Sequence, residues 1–174
     1  MSIEQYVNGR VKHGLQAAAL VALVVLGSVL AFARAATVDG LLAQEKAPPG
    51  VVFEIVEGDA DALSWAIPQV KAQSRRLRER FPGLSIAVVT HGREMFALQA
   101  DKRKQNEAVH QSVESLSKEG VPVHVCETYA ARRGVAAEAF PEYVNVAPAG
   151  PAQVNSYRDL GYEVIRVRKG SSSD

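Results

Sequence analysis

Five short runs of apolar and β-branched residues, at 51–56, 84–90, 120–126, 143–147 and 162–167, alternate with stretches whose apolar residues recur at helical spacing. Valine, isoleucine and aromatic side chains suit a pleated strand, and glycine or proline punctuates the ends of these runs. Parallel neighbours need a crossover between them, most often a helix. Strict alternation therefore predicts an α/β fold: a three-layer α/β/α sandwich with a mainly parallel five-stranded sheet, covered on both faces. In such sheets, sites form outside the carboxyl ends of the strands.

The helical stretches carry their own signals. Ile67, Val70, Leu77 and Phe81 fall on one face, with Arg75, Arg76, Arg78 and Arg80 mainly around the other. Pro68 fits the first turn of that helix, and Pro82-Gly83 stops it. The arginines suit either an anion patch or a solvated face with cations near the helix C-terminus. Residues 94–119 form a polar, broken helical region with Phe96, Leu98, Val109, Val113 and Leu116, and a basic bump at Lys102-Arg103-Lys104. His110 is expected on its polar face. Residues 153–160 predict one more short helix.

Residues 15–33 are apolar except for Gln16 and Ser28. Arg10, Lys12 and His13 precede them, and Ala33-Arg34-Ala35 follows. Basic, apolar, then small-x-small is the order of a secretory signal peptide. The same run also approaches the length of a span, since a bilayer core is about 30 Å thick. The expectation is a signal peptide or anchor over 1–36, a linker over 37–50 ending in Ala47-Pro-Pro-Gly50, a domain over 51–168, and a disordered tail over 169–174. The domain would be periplasmic, secreted or held at the inner membrane by that segment alone, with its basic flank in the cytoplasm. A formal net charge of +1 gives no reason to expect nucleic acid.

Chemistry concentrates at Gly120-Val-Pro-Val-His-Val-Cys126. Alternation puts Val121, Val123 and Val125 on one face, and His124 with Cys126 on the other. Cys126 is the one cysteine of the chain, so no internal disulfide forms. It stands at a strand end, just before a helix start at Glu127. A thiolate is a far better nucleophile than a thiol. An ordinary cysteine ionises near pKa 8.5, and a helix N-terminus or nearby cations lower that value. Arg132, Arg133, His124 and His91 are groups of the right type, whereas Glu127 opposes ionisation if it points inward. The plain alternative is a buried, inert cysteine.

Three strand ends would line one crevice if their strands are neighbours: Thr90-His91-Gly92, His124-Val-Cys126 and Val146-Ala-Pro-Ala-Gly150. His91 suits either a functional role or a strand cap, and His124 a structural one. Gly92 and Gly150 suit backbone turns. His91, His124 and Cys126 would also offer three ligands to zinc or copper, without the paired-cysteine spacing of a zinc site. There is no Gly-x-Ser-x-Gly elbow and no phosphate-binding glycine loop, which removes the signals for a hydrolase of that type or a nucleotide site.

In order, Val88-Val-Thr-His-Gly92, Gly120 to Cys126, Gly134-Val135, Val146-Ala-Pro-Ala-Gly150 and Gly161-Tyr162 resemble the DsrE/DsrF-like family of small sulfur-relay proteins, over about residues 51–168. The resemblance implies a compact α/β/α domain assembled as a trimer or hexamer. It implies sulfur donor and acceptor proteins or small sulfur compounds as partners, no cofactor, and a persulfide at the cysteine matching Cys126. Many relatives continue Cys-x-Asn-Thr, whereas this chain reads Cys126-Glu-Thr-Tyr129; Thr128 and Tyr129 keep hydroxyls there. The rival expectation is a non-catalytic exported α/β module for self-assembly, ligand binding or metal binding.

Overall fold

The structure, a computed structural model, describes residues 36–170. Its strands are β1 (Gly50–Ile55), β2 (Ile86–Thr90), β3 (Val123–Cys126), β4 (Asn145–Ala147) and β5 (Tyr162–Arg166). They form a five-stranded sheet in the order β4-β3-β2-β1-β5, with every pair parallel. The helices are α1 (Val38–Leu42), α2 (Leu63–Arg80), α3 (Glu107–Lys118), α4 (Glu127–Ala131) and α5 (Gly150–Asp159). Short 3₁₀ turns occupy Arg93–Leu98, Ala100–Lys102 and Ala137–Ala139.

The register of β1 decides which face each layer takes. Val51, Phe53 and Ile55 pack with Ile67, Val70 and Leu77 of α2, and with Val113 and Leu116 of α3, in one large cluster. Val52 alternates to the other face and joins Ala87, Val89 and Val154 of α5 in a smaller one. Each fully buried aliphatic side chain is worth roughly 1.5–3 kcal/mol, so a one-residue slip that swapped the faces is strongly disfavoured. The chain steps from β1 to β4 in one direction, then returns through α5 to the far side of β1. Right-handed crossovers in opposite directions put their helices on opposite faces, which is why α5 packs on the face opposite α2 and α3. The reversal makes the β1/β5 boundary the topological switch point.

Several sequence expectations change. The supposed linker over 37–50 holds α1, capped by Thr37 Oγ1 accepting from Gly40 N. Val38 and Leu41 are buried in the main core. Pro68 lies in α2 beyond its first turn, because the helix starts at Leu63. Its missing N–H falls on the exposed side, where Ser64 is also exposed, so the helix continues through it. Three of the four arginines of α2 are structural staples. Arg76 pairs with Asp39 at 2.8 Å, Arg78 donates to the carbonyls of Leu84 and Glu119, and Arg80 donates to that of Gln44. Gly120 and Gly161 end helices at φ 74° and 82°, a conformation glycine adopts without penalty.

His110 does not lie on a polar face. It is fully buried, with Nε2 2.9 Å from the Ala97 carbonyl and Nδ1 2.5 Å from Tyr143 Oη. A carbonyl only accepts, so Nε2 carries the hydrogen. Burial is the main cause holding its pKa below the ordinary 6.5. The apolar run at 15–33 and residues 171–174 lie outside the described residues. Among the described residues no helix is long and apolar enough to cross a membrane.

Candidate functional site at the carboxyl end of the sheet

β2, β3 and β4 are neighbours, so the three strand ends expected to form a crevice do share one edge of the sheet. Cys126 closes β3 and is the N-cap of α4, which starts at the next residue. Its Sγ accepts from Tyr129 N at 3.4 Å. The cysteine is free and only 5% exposed. The Tyr129 ring leans on Phe96 at 5.5 Å, which joins α4 to the 3₁₀ turn after β2.

The residues around Cys126 divide their work. Thr128 docks on the loop after β4: its N–H and its Oγ1 both donate to the Pro148 carbonyl, at 3.1 and 2.6 Å. Arg133 stacks over the Tyr129 ring and donates to Tyr129 Oη at 3.2 Å. Arg132 stands exposed beyond α4, and Glu127 is exposed rather than turned inward. Alternation does not keep His124 and Cys126 together. Cys126 packs with the large cluster, whereas His124 Nε2 is 2.9 Å from Tyr157 Oη beside the small one. The strand ends at Cys126, so the pleat no longer fixes where its sulfur lies. Burial lowers the pKa of His124 and raises that of Tyr157, which favours the neutral form of each.

His91 turns the other way. Its Nε2 is 3.0 Å from Glu54 Oε1 on β1, and Arg166 Nε of β5 lies 3.9 Å from Glu54 Oε2. Gly150, the first residue of α5, lies so close that a side chain there would run into the His91 ring. Gly92 is equally constrained: an added Cβ would strike the Glu94 carboxylate and the Glu57 backbone. Both glycines are therefore sites of close approach rather than simple turns.

The zinc or copper set is not assembled. His91 is committed to Glu54, His124 to Tyr157, and Cys126 to the N–H of Tyr129. Among the described residues no group of three His, Cys, Asp or Glu side chains is placed to hold a metal ion.

Sequence reasoning missed Glu54, Glu94 and Arg166. Glu94 is fully buried, and its two oxygens accept from Thr90 Oγ1 at 2.6 Å, Gly92 N at 2.9 Å and Glu57 N at 2.8 Å. It ties the ends of β1 and β2 together beneath His91. Glu54 was visible as the one charged residue within the apolar run at 51–56. Nothing in the pattern around Glu94 marked it as buried.

The family model for the DsrE/DsrF-like family matches residues 30–167. No curated protein matches the chain significantly. Among solved structures, a protein of unknown function from Methanobacterium thermoautotrophicum, MTH1491, is 22% identical with a TM-score of 0.55, covering 67% of this chain and 97% of its own. The YchN protein of E. coli is 17% identical with a TM-score of 0.52, covering 68% and 99%. At these identities the two structures support the fold.

Proposed function

This chain belongs to the DsrE/DsrF-like family, a family of sulfur-relay type, and on that premise we propose that Cys126 is a persulfide carrier. The observation that carries the reading is the place of Cys126. The chain's one cysteine caps a helix at the carboxyl end of an inner strand, with a backbone N–H at its sulfur. In loading, the Cys126 thiolate attacks the outer sulfur of a polysulfide. The old S–S bond breaks, and the shortened polysulfide leaves with the electron pair. The carried sulfur then stands about 2.05 Å beyond Cys126 Sγ, the length of an S–S bond. An incoming nucleophile then meets the outer sulfur first, which is the outcome a relay requires.

The test is the mass of the protein after incubation with polysulfide. A gain of sulfur, absent in Cys126→Ser and reversed by excess thiol, supports the carrier. The low exposure of Cys126 favours a second reading, an α/β binding or assembly module in which the thiol is packing; no gain from several donors selects it.

Assembly as a trimer or hexamer belongs to the same proposal. Light scattering at the mass of one chain rejects it. Export to the periplasm is proposed from the basic flank and the apolar run at 15–33. Fusion of the chain to a reporter active only outside the cytoplasm tests it, and an inactive fusion rejects it.

A further inference from the structure

The donor at Cys126 Sγ is Tyr129 N, so the first turn of α4 lies directly against the sulfur. Cys126 is 5% exposed. An exposure that low leaves little room for a sulfur compound to approach in line with the bond that breaks. Transfer at Cys126 therefore requires a neighbour to move, and the nearest neighbour on the page is that turn.

The turn is built to move. α4 has 5 residues, far fewer than the roughly 12–15 at which an isolated helix becomes even marginally stable in water. Tertiary contacts hold it instead, and they differ at its two ends. At the far end Ala130 is fully buried, and its carbonyl accepts from Arg133 N at 2.9 Å and Val135 N at 3.0 Å. At the near end Glu127 and Thr128 are exposed and Tyr129 is half-buried. Thr128 N and Oγ1 both donate to the Pro148 carbonyl, at 3.1 and 2.6 Å, on an exposed residue of the loop after β4. The Tyr129 ring rests on Phe96. On its other side Cys126 follows Val125, which is fixed in the sheet by pairing with Thr90.

We propose that the first turn of α4, Glu127 to Tyr129, is a movable cover over Cys126, and that Thr128 is its latch. The inference rests on the reading of Cys126 as a sulfur carrier and supplies the motion which that reading needs. When Thr128 leaves the Pro148 carbonyl, the turn swings about the buried Ala130, Tyr129 N withdraws from Sγ, and the sulfur meets solvent. The latch bonds lie at the surface, so water replaces them on opening. Opening is therefore a local event, well below the free energy of global unfolding.

The experiment times alkylation of Cys126 by iodoacetamide in the full chain, at one pH, across a urea series. A local opening exposes little surface, so the wild-type rate stays nearly flat at low urea and joins the steep limb of global unfolding only near the transition. Thr128→Val keeps the shape and removes the hydroxyl; it raises the flat part roughly fivefold, the worth of one hydrogen bond. Thr128→Ser keeps the hydroxyl and stays close to wild type. A merely structural Thr128 would shift the steep limb alone. Three results overturn the cover: a wild-type rate that climbs from zero urea with the slope of global unfolding, a wild-type rate equal to that of the unfolded chain throughout, or a flat part unchanged in Thr128→Val. If the flat part behaves as stated but polysulfide adds no mass, the cover stands and the carrier reading falls. If the protein gains sulfur while alkylation follows global unfolding alone, the carrier stands and the cover falls.

Discussion

His91 Nε2 and Glu54 Oε1, 3.0 Å apart, join the end of β2 to the last turn of the pleat in β1. His91 is thereby drawn towards β1, on the opposite side of β2 from the strand that ends in Cys126. The sheet edge thus holds two distinct groups: a thiol capping α4, and an oriented imidazole against the start of α5. Both stand on residues whose backbone is fixed by parallel pairing.

Gly150→Ala is expected to displace the His91 ring, because the new methyl group would occupy the space of its Cβ and Cγ. Overpacking of this kind costs roughly 1–3 kcal/mol. Urea denaturation measures the loss, and the His91 ring resonances in NMR report the displacement. Unchanged stability together with unchanged resonances would contradict the close approach.

Glu94→Ala removes the acceptor of three donors at the junction of β1 and β2. Leaving buried donors unpaired costs about 1–3 kcal/mol each before relaxation or water entry. A loss of at least 2 kcal/mol in denaturant unfolding is the expected order of magnitude from that penalty. A loss under about 0.5 kcal/mol, as for an ordinary surface site, would contradict the role given to Glu94.

Acid should weaken the fold through two histidines. Burial holds the pKa values of His110 and His124 below 6.5 in the native state. Below that value the unfolded chain binds protons that the folded chain does not, so stability is fully present above it and is lost as pH falls through it. The urea midpoint is therefore lower at about pH 5.5 than at about pH 7.5. His110→Gln flattens that difference; an equal slope in the variant would refute the assignment.

Tyr143→Phe keeps the ring beneath Arg103 but removes the hydroxyl that meets His110 Nδ1. One internal hydrogen bond is worth about 0.5–1.5 kcal/mol, so a loss in that range is expected from thermal or urea unfolding. No loss would mean that water replaces the hydroxyl.

The layer order was legible because periodicity alone separates a strand from a helix: 51–56 and 84–90 read as strands and became β1 and β2. Docking was not legible. Residues 37–50 look like a linker from Pro48, Pro49 and Gly50, yet Val38 and Leu41 find an apolar seat on α2 that only the folded chain provides. His110 precedes Val113 by three residues and so shares its buried side, a signal outweighed by the polar residues around it. Cys126 was found from its position at a strand end, but the pairing of His91 with Glu54 depends on β1 lying beside β2, which no local pattern encodes. Glu94 is buried through three long-range or loop contacts, so its role emerges only from the register.

The account depends most on Cys126 carrying sulfur, and a single-turnover experiment with radiolabelled sulfane sulfur tests it most directly. Wild type should retain close to one label per chain through desalting and release it to added alkyl thiol, while Cys126→Ser retains none. Label held equally by both proteins, or by neither, would contradict the central claim.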